Sequence, residues 1–351
     1  MPLPAKVTVR EIASAAGVSI ATVSRVLNQP ALVQACKREA VQRAVLALDY
    51  IPNRHARSLS SQRSGAIGLL LPTLANPLFA PTVAAIEAAL DAAGQALLIH
   101  CYERDPARQL KQVRHLVERG VDGIILTGAT SSPALAALLS RTALPHVVQD
   151  AVLNLGDAPA IAFDNAGAAA MGVRHLHAQG HRSIAVLSGP VHNTPAVADR
   201  FAGAVSEVQA LGLPLPDAWR VVTPDYDAAS VRQGAARLLD SNPQGSGCPT
   251  AVACTGDILA LGLAAECQRR GLQLPWDLSV IGCGNTDMGQ YVEPALTTVG
   301  LPWDRMGAVA VSTLLARIAG HPVEPLVILP HTLVERRSVQ PPHSAPAPKV
   351  P

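Results

Sequence analysis

Aromatic residues are scarce in this chain. Phe, Trp and Tyr together make up 3% of its 351 residues, whereas apolar residues as a whole make up 49%. The apolar share is therefore rich in Ala, Val and Leu, which is typical of helices packed on parallel sheets and disfavours an aromatic-rich β-sandwich. A chain of this length exceeds one compact core, so we expect two or three domains of the alternating α/β class.

Paired cysteines and long apolar runs are also missing. The six cysteines are scattered without a C-x-x-C pair, which favours buried, reduced thiols in a cytosolic protein. No uninterrupted apolar stretch reaches about 18 residues, and the N-terminal "MPLPAKVTVREIA" has no apolar signal core. We therefore expect neither secretion nor a membrane partner.

The common catalytic motifs are absent. The sequence has no G-x-S-x-G elbow, P-loop, G-x-G-x-x-G fingerprint or H-E-x-x-H motif. His175 and His177 are two residues apart and point to different faces of a helix, so exposed histidines are favoured over a metal site. We expect no enzyme, no cofactor and no metal.

Positive charge is concentrated at the N-terminus. The first 63 residues hold nine basic and three acidic residues, a net charge of +6, which leaves −4 for the remainder because the whole chain carries +2. A small basic module ahead of a mildly acidic body indicates a nucleic-acid partner.

Residues 8 to 48 show the pattern of three short helices. "TVRE" is a capping box in which Thr8 and Glu11 bond reciprocally at a helix start. Gly17 ends the first helix and Ser19 caps the second, so two helices meet across a tight turn, and the third spans about 34–48. The pattern predicts a helix-turn-helix.

The second helix has a face that packing does not use. Its members are Ile20, Ala21, Ser24, Arg25 and Asn28. This face is slim enough to enter a major groove, with Arg25 reaching a guanine edge or a phosphate, while Thr8, Ser19 and Thr22 are placed to bind phosphates. A solvated helix in an ordinary three-helix bundle is equally compatible with the pattern alone.

A short segment, "RHARSLSS", follows Pro52. Asn53 can cap it, but helices of this length are marginal in water, so it should fold only when something packs against it.

From Ser64 onward, apolar runs such as "AIGLLL" and "SIAVLS" alternate with helical stretches. Two successive sets of these units predict two doubly wound sheets with a ligand cleft at the carboxyl ends of their strands.

These patterns divide the chain into four parts. We expect a head at 1–52, a hinge helix and linker at 53–63, a body at 64–338, and a disordered Pro-rich tail at 339–351. In the body, lobe 1 should take about 64–163 and 298–322, and lobe 2 about 164–297 and 323–338. Chain crossings are expected near 163–165, 297–299 and 321–324.

The stretches "VTVREIASAAGVSIATVSRVLN" and "YIPNRHARSL" resemble the DNA-binding head and hinge of the lactose/galactose-repressor family of bacterial transcription regulators. The resemblance continues through "IGLLLPTLANPLF", "DGIILTG", "DRFAGA" and "PALTTV", and "GLAAECQRRGL" is similar to gluconate-type repressors. It implies an all-α helix-turn-helix head on a two-lobed, periplasmic-binding-protein-like body. The implied function is a cytoplasmic, nucleoid-associated repressor that binds pseudopalindromic operator DNA as a homodimer.

The resemblance also implies contact residues. The recognition-helix contacts correspond to Ile20, Ala21, Ser24 and Arg25, supported by Thr8, Ser19, Thr22 and Asn28. In the hinge, the DNA-binding positions correspond to Asn53, His55, Ala56 and Leu59, with Leu59 as a wedge in the minor groove. A linker residue that packs under the body is the alternative for Leu59.

The effector positions that the resemblance implies are Asn76, Phe79, Asp150, Asp164, Arg200, Asp257 and Asn285. Asp164 and Asp257 could instead cap helices, and Phe79 could be core. Gly256 and Gly284 stand where relatives commonly carry Asn and Asp, so the pocket has lost two hydroxyl-binding groups while Arg200 remains. We expect a sugar acid as effector, with a neutral sugar as the alternative.

Two other functions compete with that of a repressor. One is a free sugar-binding protein of the transport type, and the other is an enzyme.

Overall fold

The computed structural model describes residues 7–28, 30–50, 63–129, 131–152, 155–241 and 247–343. The chain divides into two compact units, a head up to Gly65 and a body from Ala66. The predicted hinge contacts Asn53, His55, Ala56 and Leu59 lie outside the described residues, as do tail residues 344–351.

The head is helical. Its elements are α1 Val9–Ala16, α2 Ile20–Asn28, a 3₁₀ turn Pro30–Leu32, and α3 Ala35–Ala47. The capping box forms at the start of α1, where the Glu11 carboxylate accepts from the Thr8 N–H at 2.7 Å. Gly17 ends α1 with a φ of 64°, in the left-handed region that favours glycine.

Apolar side chains from all three head helices share one small core. This core buries Ile12, Ala13, Val23, Val26, Val41, Ala44 and Tyr50. Val23 and Val26 face it from α2, which leaves the opposite side of that helix to solvent. The helix-turn-helix that the pattern predicts is therefore present.

The body is built from strands that alternate with helices. The strands are β1 Ala66–Leu71, β2 Ala96–Cys101, β3 Gly123–Thr127, β4 His146–Gln149, β5 Ala160–Phe163, β6 Ile184–Ser188, β7 Arg220–Val222, β8 Ala251–Cys254, β9 Ser279–Gly284, β10 Thr297–Gly300, β11 Leu326–Leu329 and β12 Thr332–Val334. The helices are α4 Ala80–Ala92, α5 Pro106–Glu118, α6 Pro133–Thr142, α7 Asn165–Ala178, α8 Pro195–Ala210, α9 Ala228–Asp240, α10 Asp257–Arg269 and α11 Trp303–Ile318.

These strands form two sheets, one in each lobe. The lobe 1 sheet has the order β11-β5-β4-β3-β1-β2 and is parallel throughout. The lobe 2 sheet has the order β12-β10-β9-β8-β6-β7, with β12 antiparallel to β10. Helices cover both faces of each sheet, so most central strands are buried on both sides, and their sequences are continuous apolar runs. The two doubly wound sheets that the sequence predicts are confirmed.

Within the described residues, the chain passes between the sheets at three places. The first crossing is at Asp164, between β5 and α7, and the second is at 301–302, just after β10. The expected third crossing near 321–324 is wrong, because β11 pairs with β5 in lobe 1 and the chain crosses at 330–331 instead. The apolar run "LVIL" forms a parallel edge strand of the lobe 1 sheet. Its sequence pattern would fit an edge strand of either sheet, so the pattern could not assign it to one of them.

The predicted disordered tail begins too early. Residues 339–343 are described, and Gln340 is bound to lobe 2 by hydrogen bonds from its N–H to Ser279 Oγ at 3.1 Å and between its carbonyl and His181 Nε2 at 2.9 Å. The prediction failed because the Pro-rich composition of this segment does not reveal that buried polar groups of lobe 2 form hydrogen bonds with its backbone.

Candidate functional site

The exposed face of α2 carries the predicted DNA contacts. Ile20 is 48% exposed, and Ala21, Ser24 and Arg25 are also exposed. Asn28 is the last residue of the helix. The structure therefore places one large aliphatic and one cationic side chain on a helix surface of otherwise small groups, as major-groove reading requires.

The hydroxyl groups around this helix also serve the turn itself. Ser19 Oγ accepts from the Thr22 N–H at 3.2 Å and lies 2.9 Å from Thr22 Oγ1. Thr8 Oγ1 donates to Glu11 Oε2 at 2.9 Å. These hydroxyls therefore hold the helix starts in place, and their remaining hydrogen-bonding capacity faces solvent.

The two lobes of the body enclose a narrow cleft. It contains two cavities of about 30 and 20 Å³ that share Asn76, Leu78, Arg200 and Tyr226 as lining residues. Such volumes hold one or two water molecules, whereas small-molecule pockets span about 300–1,000 Å³. Neither of these two cavities holds a sugar-sized ligand at the volume that it has in this structure.

Arg200, on α8, is a deeply buried charge of the cleft. The residue is 2% exposed, and its Nε and Nη1 atoms have no hydrogen-bond partner among the described residues. A guanidinium in this state retains unused donors in a low-dielectric site, where they interact strongly with an anion or with several hydroxyl oxygens.

Asp150 approaches the cleft from the other lobe, directly after β4. It is 5% exposed and adopts a φ of 64°, and its Oδ1 has no hydrogen-bond partner within the described chain. Burial raises the pKa of this carboxyl to about 6, and the charge of Arg200 partly opposes the rise. The cleft thus offers a cation from lobe 2 and a titratable acid from lobe 1.

Asn76 and Phe79 lie at the same edge of lobe 1. Asn76 Oδ1 caps the short 3₁₀ turn Pro77–Phe79 by accepting from the Leu78 N–H at 3.0 Å. The ring of Phe79 meets Trp303 edge-on, with 5.5 Å between ring centroids, while it also lines the cleft. Phe79 therefore packs in the core and also lines the cleft, so it has both of the positions that the sequence left open.

Asp257 is buried but fully engaged. Its Oδ2 accepts from the N–H and hydroxyl of Thr286 at 2.6 and 3.1 Å, and its Oδ1 accepts from Thr298 Oγ1 at 2.6 Å. Burial is the main influence on its pKa, which lies above the ordinary value. Asp257 joins α10 to the strands beside it and offers little to a ligand.

Asp164 and Asn285 are not brought together with Arg200. Asp164 is exposed and caps α7, where its Oδ1 accepts from the Gly167 N–H at 2.8 Å. Asn285 is exposed, and its Oδ1 accepts from Arg336 Nη2 at 2.7 Å. It lines a larger cavity of about 390 Å³ beside the chain crossings. For Asp164, the capping role that the sequence left open matches its position.

Two cleft residues were missed by sequence reasoning. Arg104 and Tyr226 both line the larger cleft cavity, and the Arg104 guanidinium carbon lies 5.1 Å from the centre of the Tyr226 ring. Each follows the carboxyl end of a strand, β2 and β7 respectively. That position at the cleft edge was the signal that could have found them.

The two histidines of α7 are placed differently from the expectation. His175 and His177 lie on α7 and are half-buried, so the expectation of exposed side chains is wrong, because α7 packs into lobe 2. Among the described residues, no group of three or more His, Cys, Asp or Glu side chains could hold a metal ion. No described helix is long and apolar enough to cross a bilayer.

Comparisons with known proteins agree with this architecture. Residues 8–53 match the model of bacterial regulatory proteins of the lacI family, and residues 173–339 match a periplasmic binding protein-like domain. The HTH-type transcriptional repressor PurR of Erwinia tasmaniensis is 34% identical over 336 residues, which cover 95% of this chain and 96% of the relative.

Two solved structures are similar to this chain over most of its length. The lac repressor dimer bound to operator and the anti-inducer ONPF is 30% identical, with a TM-score of 0.82 over 96% of this chain and 100% of that one. The complex of the transcriptional regulator CelR with cellobiose is 26% identical, with a TM-score of 0.70 over 95% of this chain and 100% of that one.

Proposed function

This chain belongs to the lacI family of bacterial regulatory proteins, and we propose that it is a repressor whose operator affinity is set by a small hydroxylated carboxylate. The observation that carries the effector class is Arg200, a buried guanidinium with two unpartnered nitrogens in the cleft. A carboxylate satisfies such a group through two parallel hydrogen bonds.

DNA reading is assigned to the exposed face of α2. Arg25 supplies the polar contact to a base edge, while Ile20 and Ala21, which cannot donate hydrogen bonds, select thymine methyl groups by shape. Ser24 and Asn28 complete this face, and Thr8, Ser19 and Thr22 contact phosphates. A single short helix reads few base pairs, so we propose a homodimer on a pseudopalindrome, the assembly type of the lac repressor structure.

The hinge prediction remains part of the proposal. Asn53, His55 and Ala56 contact DNA when this segment folds on the operator, and Leu59 enters the minor groove at a flexible pyrimidine–purine step. Such a wedge is specific to operator DNA, because it requires a flexible step at the centre of two correctly spaced half-sites.

Ligand binding and DNA binding are coupled through the lobes. The narrow cleft must open to admit a ligand and close around it, and closure alters the spacing or order of the two hinge segments in a dimer. By linkage, the effector and the operator change each other's affinity by the same factor.

Other functions are less well supported. A neutral sugar is the alternative effector, since the CelR structure holds cellobiose and since Asp150 could accept from a hydroxyl. A free transport-type binding protein does not explain the basic helix-turn-helix head. The relatives are transcriptional repressors, so we propose a non-enzymatic protein that acts in the cytoplasm on the nucleoid.

The test measures ligand and DNA binding separately. Purified protein is titrated with aldonates, uronates and neutral sugars by calorimetry, and operator affinity is measured after genomic footprinting has named the site. We expect acids to bind, Arg200→Gln to abolish this binding, and operator binding without ligand to persist in the variant. Arg174→Gln is the matched control, because Arg174 is an exposed arginine of α7 that pairs with Glu207 inside lobe 2. Binding of neutral sugars alone, or acid binding undiminished in Arg200→Gln, contradicts the effector class.

A further inference from the structure

The last described residues form a strap across one end of lobe 2. This strap, residues 338–343, follows β12 without regular secondary structure. The Ser338 carbonyl accepts from the Val280 N–H at 2.9 Å, and the Ser338 hydroxyl donates to the Val280 carbonyl at 2.6 Å. Farther along, the Gln340 N–H donates to Ser279 Oγ at 3.1 Å. The strap is therefore bonded to the start of β9, at the end of the sheet opposite the cleft.

One buried histidine joins the strap to the rest of this lobe. His181 is 1% exposed and lies just before β6. Its Nε2 lies 2.9 Å from the Gln340 carbonyl oxygen, and its Nδ1 lies 2.8 Å from Thr250 Oγ1. A carbonyl oxygen can only accept, so Nε2 carries the hydrogen and Nδ1 of the neutral ring accepts from the threonine. The neutral form of His181 is thus satisfied at both nitrogens.

The strap itself covers this ring. Pro342 Cδ lies 3.5 Å from the position that a Cβ on Gly180 would occupy, so the strap packs against the residue before His181. The Gln340 carbonyl that faces Nε2 is also held by Ser279 Oγ at 3.1 Å. Release of the strap would remove this carbonyl and expose the Nε2 edge of the ring to water.

Protonation of the ring does not by itself break the hydrogen bonds. The bond from Nε2 to the Gln340 carbonyl is the same in the protonated form. At Nδ1 the Thr250 hydroxyl could turn to the Ser183 carbonyl, 3.3 Å away, and accept from the new N–H. The cost of protonation is therefore that of a charge in a buried site.

The surroundings of the ring make this cost large. Burial is the main influence and lowers the pKa of His181, and the bond to the Gln340 carbonyl partly opposes it. Arg182, next in the chain, and His175 of α7 lower the pKa further through their charge. Glu335, just before the strap, acts on His175 in the opposite sense. The docked strap thus favours the neutral ring.

We propose that the strap is a proton-sensitive clamp, which neutral His181 holds across lobe 2 and which is released when this histidine becomes an imidazolium. The released strap leaves the ring in water, where it binds a proton more readily than in the docked form. The docked form is therefore fully favoured above the ordinary histidine pKa of about 6.5 and loses population as the pH falls below it. For one proton, the ratio of docked to released strap falls at most about tenfold per pH unit.

Hydrogen exchange tests the clamp. The N–H groups of Val280 and Gln340 take part in the bonds between the strap and β9, so their protection reports the docked form. Protection is measured at pH 7.5 and pH 5.5 and corrected for the intrinsic exchange rate at each pH. It should fall several-fold at the lower pH, whereas amides in the middle of β3, in lobe 1, report global unfolding and should change less.

Trp276 provides a second readout. It is 59% exposed and stacks on His343 at the end of the strap, with 3.4 Å between ring centroids. The other two tryptophans, Trp219 and Trp303, are 3% and 2% exposed. Iodide quenching of fluorescence therefore reports mainly Trp276, and it should increase as the strap is released.

Variants assign the effect to His181. His181→Gln retains a donor for the Gln340 carbonyl but does not titrate, so strap protection should become independent of pH. His321→Gln is the matched control, because His321 is an exposed histidine of lobe 1. His343→Gln should leave the pH dependence of exchange at Val280 intact, which separates the two histidines that contact the strap.

The original protein and the variant each give a decisive result. The clamp is excluded if protection of the strap does not fall at pH 5.5, or if it falls only as much as that of β3. It is also excluded if His181→Gln retains the full pH dependence. If His181→Gln does not fold, the comparison of the strap with β3 in the original protein still decides.

Discussion

Arg104 of lobe 1 and Asp225 of lobe 2 form an ion pair across the gap between the lobes, with 2.8 Å between Arg104 Nη1 and Asp225 Oδ1. The same arginine lies over the ring of Tyr226, and this ring also packs so closely on Gly189 that a Cβ there would overlap it. Glu103 and Arg104 both have positive φ values, of 50° and 57°, so the loop that presents the arginine is held in a sparsely populated conformation. The pair therefore links the two lobes directly in this structure, and we call it the latch.

Breaking this latch should favour the open cleft. Arg104→Gln and Asp225→Asn each remove one charge of a pair whose acceptor side chain is 54% exposed, so the closed form should lose at most about 1 kcal/mol, or up to about fivefold in population. Small-angle scattering of the ligand-free protein should show a larger radius of gyration. Arg174→Gln, which breaks an ion pair inside lobe 2, should leave that radius unchanged. The charge-reversed double variant Arg104→Asp/Asp225→Arg should restore the original radius, and an unchanged radius in both single variants would exclude the latch.

Binding of an acid should strengthen as the pH falls from 7.5 to 5.5. The pKa of Asp150 is raised to about 6 by burial, so its carboxylate is ionised at the upper end of this range and mainly protonated at the lower end. Protonation removes the like charge that opposes an anionic ligand at Arg200, so the affinity should rise several-fold, and at most about tenfold per pH unit for one proton. Calorimetry at the two pH values measures the change.

Two controls make this pH dependence specific. Asp150→Asn should bind acids with little dependence on pH. Asp157→Asn should behave like the original protein, because a hydrogen bond from Arg317 holds the pKa of Asp157 below its usual value and this carboxylate does not titrate in the range. A neutral sugar whose affinity followed the same curve would show that charge repulsion is not the cause.

The head and hinge variants should separate base reading from wedge insertion. Arg25→Ala should lose about 1–3 kcal/mol of discrimination at one base pair per half-site. Leu59→Ala should weaken operator binding several-fold while leaving random DNA nearly unaffected, since non-specific affinity depends on phosphate charge. Arg43→Ala, at an exposed arginine of α3, should lower the affinity for both DNAs equally or not at all. If Arg25→Ala and Leu59→Ala each lose as much affinity for random DNA as for the operator, Arg25 does not read a base and Leu59 is not a wedge.

The turn between α1 and α2 should depend on its glycine. Gly17→Ala forces a side chain into the left-handed region and should destabilise the head by about 1 kcal/mol or slightly more. Gly17→Asn should cost less, because Asn tolerates this conformation. Amide exchange of α1 and α2 measures the effect, and equal protection in both variants would show that backbone strain at this position is unimportant.

Local chemistry made the head predictable. The Thr8 and Glu11 capping box, the break at Gly17 and the Ser19 cap are contacts between residues up to five positions apart, so their spacing alone indicates the geometry. The apolar runs of the body likewise predict buried parallel strands. The assignment of β11 to a sheet could not be made, because an edge strand is chosen by a neighbour more than 150 residues away in sequence.

The sequence by itself therefore determined the helix-turn-helix and the alternating body, and its resemblance to a known family indicated Arg200 as an effector residue. Tertiary structure alone decided which of the predicted effector residues meet. It put Asp150 and Arg200 in one cleft and placed Asn285 in a different cavity. It also engaged the carboxylate of Asp257 in hydrogen bonds within lobe 2. It also set Leu78 against Gly284 and Arg104 against Asp225. These relationships depend on how two sheets face each other over long loops, and no local pattern encodes that distance.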